Sequence, residues 1–284
     1  MTTIPSKSRI WIRPALALGL ATVFLATVFL ATVFLAAPVQ ADSTPDAQKW
    51  LDKLVGLYDK APFTNEYTAT LDMQQGEQSI SGAIKGRIIY GDAEHMRVNM
   101  EVTMAGMPGM PQGEEAAEMT MKMLSVTDGE TTWSEIEMPM MGKQVTKLAL
   151  EDAKAFAGQP NMGANPTGFD PVQQLEAMAE ALDFEVLKVA DGEVHLKATV
   201  TPEARGQLGQ LGMVPGTETF HLVLDTDSGT PKSITIGGDK PILDMTFGPF
   251  EFISDDSIPE GTFTYTVPEG TQVMDLGALM QQVQ

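Results

Sequence analysis

The chain has 284 residues, no cysteine, 19 methionines and a formal net charge of −20. Lacking cysteine, it has neither a disulfide staple nor thiolate chemistry. The acidic balance argues against nucleic acid or an anionic lipid surface as the bulk partner, and the sequence contains no phosphate-cradling glycine loop of the Walker or dinucleotide type.

The first 41 residues read as an export segment. Lys7, Arg9 and Arg13 precede an apolar stretch from Ala15 to Ala37, and "PVQA" (Pro38 to Ala41) offers small residues for a signal peptidase. Within the stretch, "ATVFL" occurs three times in succession from Ala21 to Leu35. Cleavage after Ala41 is the favoured reading. An uncleaved inner-membrane anchor is the alternative, because the segment is long enough to span a bilayer. Removing its three cations takes the net charge from −20 to −23. No cysteine follows to carry a lipid. Residues 42–284 are expected to form one domain in the periplasm.

That domain opens with an amphipathic helix. Trp50, Leu54, Leu57 and Tyr58 recur at helical spacing behind Thr44-Pro45. From Asn65 the period changes to two: "NEYTATLDMQQ", "SISGAIKGRIIYG", "HMRVNMEVTM" and "EMTMKMLSV" alternate apolar with polar residues, as antiparallel strands with one buried face do. A turn at Asp128-Gly129 leads to "TTWSEIEM". Helices are expected in "LEDAKAF" and, after a Gly/Pro/Asn loop, in "DPVQQLEAMAEAL", where Asp170 and Pro171 supply the cap. Strands resume with "FEVLKVA", "EVHLKATV", "ETFHLVLD", "PKSITIG", "KPILDMTFGPFEFI" and "TFTYTVP", with a helical turn at "PEARGQLGQLG" and a closing helix "MDLGALMQQ". About ten antiparallel strands cannot stay flat. The expected fold is mainly β (α+β): a single, strongly curved antiparallel sheet forming an incomplete barrel, with the helices inside it or across its mouth.

Three readings compete for the run "MAGMPGMPQGEEAAEMTMKM" from Met104 to Met123. Met104, Met107 and Met110 form an M-x-x-M-x-x-M string, and thioethers suit Cu(I). The flanking methionines alternate along strands, which suits an adaptable apolar lining, and Pro108 and Pro111 make the string itself an irregular lip. Ordinary core filling is the third reading. The lining with its lip leads, since neither His nor Cys lies in the loop. Strand parity gives an inward set of Leu71, Met73, Ile88, Met100, Met121, Met123, Trp133 and Ile136, joined by Met178 from the second helix.

His95, His195 and His221 fall on separate strands or turns with no carboxylate spacing to complete a metal triad. "DTDSG" from Asp225 to Gly229 lacks the downstream Glu of a calcium loop and reads as a hairpin turn. No Gly-x-Ser-x-Gly elbow occurs and no nucleophile has a base beside it. The expectation is a protein without catalytic residues, cofactor or nucleic-acid partner.

Three segments carry a family resemblance. "LSVTDGETTWSEIEMPMMGKQVTKL" resembles the middle of the LolA-type periplasmic lipoprotein carriers, "SGAIKGRIIYGDAEHMRVNM" the hairpin before it, and "GTFTYTVPEGTQVMD" the closing strand. The similarity runs from about Tyr67 to Asp275 and lies in the order and spacing of the motifs. It implies an incomplete β-barrel with a helical lid over an apolar cavity, and a function in carrying the acyl chains of a lipid or lipoprotein between envelope membrane proteins that donate and accept them. A lipid-sensing regulator of the same fold is a further implication. The sequence departs from the family at the lid latch: Asp92 stands where the resemblance calls for an Arg, with Arg97 a few residues on.

Overall fold

The structure is a computed structural model that describes residues 44–60, 62–75, 78–106, 118–139, 142–152, 182–201, 219–238 and 240–281. The export segment, Met107, Met110, Met178, the helical turn after Thr201 and all but the first residues of the expected helical lid lie outside this set.

Helix α1 (Pro45–Val55) starts where the sequence places it. The Thr44 hydroxyl accepts a hydrogen bond from Ala47 N at 3.3 Å, Pro45 occupies the first turn, and Asp46 and Lys53 sit at the ends of the helix that favour their charges. Ala47, Leu51 and Leu54 form its buried face. Two long-range bonds fix it, from Thr44 N to Phe184 O at 3.1 Å and from Lys53 Nζ to Thr226 O at 2.6 Å.

A single hydrogen-bonded sheet follows. Its first half comprises β1 (Phe63–Gln75), β2 (Gln78–Asp92), β3 (His95–Ala105), β4 (Met119–Asp128), β5 (Thr131–Met138) and β6 (Gly142–Ala149). The second half comprises β7 (Leu182–Ala190), β8 (Glu193–Val200), β9 (Thr219–Asp225), β10 (Pro231–Ile236) and β11 (Leu243–Phe247). The short β12 (Glu251–Phe252) and β13 (Val273–Asp275) precede helix α2 (Leu276–Gln281). The strand order is β13-β6-β5-β4-β3-β2-β1-β11-β10-β9-β8-β7, with β12 beside β1. The two halves therefore join through the antiparallel pair β1 and β11. The sheet is curved and unclosed: β13 and β7 are its ends.

Two expectations change in the C-terminal region. β13 pairs with β6 in parallel, so the sheet is not wholly antiparallel. The segment "TFTYTVP", read as a strand, forms no ladder. It runs over the sheet as a strap. Arg97 Nη1 donates to Thr262 O at 3.2 Å, the Phe263 ring lies over Gly91 and His95, and Tyr265 stacks on Trp133 with ring centroids 5.3 Å apart. Its period of two reflects packing against a face rather than pairing at an edge. Having crossed that face, the chain enters β13 in the same direction as β6. The expected "KPILDMTFGPFEFI" strand likewise splits at Gly248-Pro249 into β11 and β12, because proline cannot donate to a ladder.

Alternate residues divide the sheet into an inner and an outer face. On the inner face, Leu71, Ile80, Ile84, Val102, Met104 and Met121 meet Phe184, Leu196, Phe220, Leu222, Leu224 and Met245 from the second half, together with α1, in one buried core. At β7 the register slips between Val186 and Lys188, a bulge on an end strand that discourages further pairing.

Candidate functional site: an apolar strip on the inner face

The register sets the inner-face residues in rows that cross the strands. Leu71, Gly82, Met104 and Met119 form one row, and Ala69, Ile84, Val102 and Met121 the next. Both lie largely within the core, with Met104 and Val102 at 0% and 2% exposure. The following row is Tyr67, Gly86, Met100, Met123 and Ile136. Here the cover thins: Met100, Met123 and Ile136 are half-buried, as is neighbouring Ile88. Together these four make an accessible apolar strip across β2 to β5, backed by the buried core. One row further, the chemistry changes to Asn65, Ile88, Val98, Ser125, Ser134 and Thr146. The strip is thus bordered on one side by hydrocarbon and, from β4 to β6, on the other by the hydroxyls of Ser125, Ser134 and Thr146.

Gly86 gives this row its shape. The Tyr67 ring lies directly over it, in the space a β-carbon would fill. Burial pushes the Tyr67 hydroxyl up to about 12, and that hydroxyl has no hydrogen-bond partner among the described residues. Burial, with the neighbouring Tyr90, raises Tyr58 further. Gly86→Ala is expected to displace the Tyr67 ring and to cost about 2 kcal/mol by overpacking, measured as a lower urea midpoint at unchanged m-value.

The outer face is charged. Thr68, Lys85, Glu101, Lys122, Glu137 and Lys143 stand opposite one another in register, so four successive cross-strand neighbours after Lys85 alternate in sign. A second row holds Glu66, Arg87, Asn99, Leu124 and Glu135. Between the two rows runs a hollow of about 550 Å³. Alternating charges neutralise one another there and keep this face wet. At its end, burial would raise the Glu135 carboxylate, but hydrogen bonds from Lys143 (2.7 Å) and Tyr265 (2.7 Å) outweigh it and hold the group below its ordinary range. Burial and the Glu135 bond together raise Tyr265.

The expected inward residues divide accordingly. Leu71, Met73 and Met121 belong to the buried core. Ile88, Met100, Met123 and Ile136 come together as the strip. Trp133 does not join them: it lies on the outer face, its indole donating to Asp128 Oδ2 at 3.1 Å and its ring stacked on Tyr265. The reason is parity, since Trp133 and Ile136 are three residues apart on one regular strand and must point oppositely. Met104 stands on β3 inside the core rather than on a lip. Asp92 caps its own hairpin, accepting from Glu94 N at 2.8 Å and meeting His95 Nδ1 at 2.9 Å, whereas Arg97 ties down the strap. Asp225 is committed to its turn through Asp227 N, Ser228 N and Ser228 Oγ. Among the described residues no group of three His, Cys, Asp or Glu side chains is placed to hold a metal, and no helix is long and apolar enough to cross a membrane. The sequence reading passed over Asn65 and the hydroxyl row, although counting by twos from Met123 leads directly to Ser125.

No family model matches the chain, and no curated protein does. Among solved structures it is similar to LprF from Mycobacterium bovis, with TM-score 0.44 and 12% identity over 74% of this chain and 95% of that one. It is also similar to MucB, with TM-score 0.34 and 16% identity over 78% of this chain and 64% of that one. A third is the LolA superfamily protein NE2245 from Nitrosomonas europaea, with TM-score 0.28 and 11% identity over 77% of this chain and 97% of that one. Function is therefore drawn from this chain's own side chains.

Proposed function

We propose that the protein is a non-enzymatic carrier of the periplasm, which binds acyl chains of a lipid or lipoprotein against the inner face and passes them between envelope membrane proteins. The observation that supports this reading most is the strip Ile88, Met100, Met123 and Ile136: four neighbouring apolar side chains left half-covered at the margin of the buried core. Methionine suits such a surface because its unbranched, polarizable side chain adapts to guests of different shape. Burial alone supplies enough affinity. A sixteen-carbon chain wholly removed from water gains roughly 12 kcal/mol at about 0.8 kcal/mol per methylene. Subtracting the roughly 4 kcal/mol or more that association costs leaves a Kd of about 1 μM.

The test is equilibrium binding of a fluorescent fatty-acyl probe, together with native mass spectrometry of protein isolated from the envelope fraction. Saturable binding, competed by unlabelled palmitate, and an adduct of lipid mass are expected. A probe that never saturates, with only the bare chain in the spectrum, would overturn the carrier reading.

A further inference from the structure

The strip has a polar end. Counted from Ile136 on β5 through Met123, Met100 and Ile88, the next inner-face residue across the sheet is Asn65 on β1, directly opposite Ile88. Those four strand spacings span about 19 Å at roughly 4.8 Å each. Asn65 is 2% exposed. Its Nδ2 donates to the carbonyls of Gly248 at 2.8 Å and Pro249 at 3.3 Å, where the chain breaks between β11 and β12. Those two acceptors fix the orientation of the amide, because a flipped side chain would set Oδ1 against two carbonyl oxygens. The anchoring role explains Nδ2. It leaves Oδ1 buried and without a hydrogen-bond partner among the described residues, and a buried acceptor in that condition is costly.

We infer that Asn65 Oδ1 is the receptor for a hydrogen-bond donor at the head of the bound acyl chain, and that the cargo class is accordingly N-acylated: a fatty chain whose first polar group is an amide N–H. This rests on the carrier reading and adds the chemistry of the head group to it. The hydrocarbon lies along Met123 and Met100, and the amide displaces the cover over Asn65 on β1, where Oδ1 accepts a hydrogen bond from its N–H. An ester in the same place has no donor and leaves the acceptor unpaired. Discrimination of this kind is strong because it turns on a missing hydrogen bond to a buried group.

Two probes separate the possibilities: N-palmitoylglycine and palmitoyloxyacetate, identical except for N–H against O. In the wild-type chain the amide is expected to bind at least fivefold more tightly than the ester. In Asn65→Leu the order inverts, since the N–H is then buried against hydrocarbon. Should that variant fail to fold, the side-chain carbonyl ¹³C resonance of Asn65 in the wild-type chain supplies the readout: it shifts with the amide probe and stays in place with the ester. Equal affinity of the wild-type chain for both probes overturns the head-group assignment and leaves the carrier intact. Binding of neither probe removes the carrier and the assignment together.

Discussion

On the carrier reading, Met123→Asp is expected to abolish acyl-chain uptake, weakening binding by at least a hundredfold, whereas Leu124→Asp is expected to leave it within a factor of two. The two residues are neighbours on β4 and point to opposite faces. Met123 lies between Met100 and Ile136 in the middle of the strip. A carboxylate there remains hydrated while the strip is open, but a guest chain that covers it must strip away its water, at a cost of several kcal/mol. Leu124 lies between Asn99 and Glu135 on the charged face, with Lys122 on the same side, where a further carboxylate stays hydrated. Both variants are half-buried substitutions on one strand, so the pair controls for a general loss of stability. Displacement of a fluorescent fatty-acyl probe, read beside urea midpoints, checks the result. Equal loss of binding in both variants would show that the inner strip is not where the chain lies.

Tyr67 gives the second expectation. Its hydroxyl titrates at about 12 in the folded chain because burial disfavours the phenolate, against an ordinary value near 10. The unfolded chain therefore releases this proton first as pH rises. Unfolding becomes coupled to proton release above pH 10, and stability falls from there to about pH 12, by on the order of 3 kcal/mol for this residue. Below pH 10 the contribution is fully present. Tyr67→Phe removes that part of the alkaline decline, and the raised Tyr58 and Tyr265 sustain the remainder. At neutral pH the same substitution is expected to change stability by no more than about 0.5 kcal/mol, since a hydroxyl without a partner among the described residues contributes little net stabilisation. Urea midpoints measured from pH 8 to pH 11.5 for both chains check the sign. An unchanged alkaline slope in the variant would place the titration elsewhere.

The sheet was legible because its strands are long and amphipathic: thirteen residues in β1 and fifteen in β2 repeat the period of two often enough to reveal parity. That parity located Met100, Met123 and Ile136 on one face. It failed at Trp133, because Trp133 and Ile136 lie three residues apart on one regular strand and cannot both face inward. It failed again at Phe263 and Tyr265, because alternation reports one-sided burial and does not distinguish pairing from crossing. Asn65 was hidden for another reason. Its burial depends on the break at Gly248-Pro249, more than 180 residues away, and no local pattern signals that contact.

The free ends of the sheet bear on which cargoes the proposed carrier would fit. In a closed barrel, strand number and shear fix the girth, and the wall can widen for a larger guest only by breaking ladder bonds. Here β7 and β13 are not bonded to each other, so the wall can splay or tighten along that seam with every backbone pairing kept. On the carrier reading, tolerance for longer, shorter or branched tails is then a matter of elastic bending rather than of a fixed internal volume.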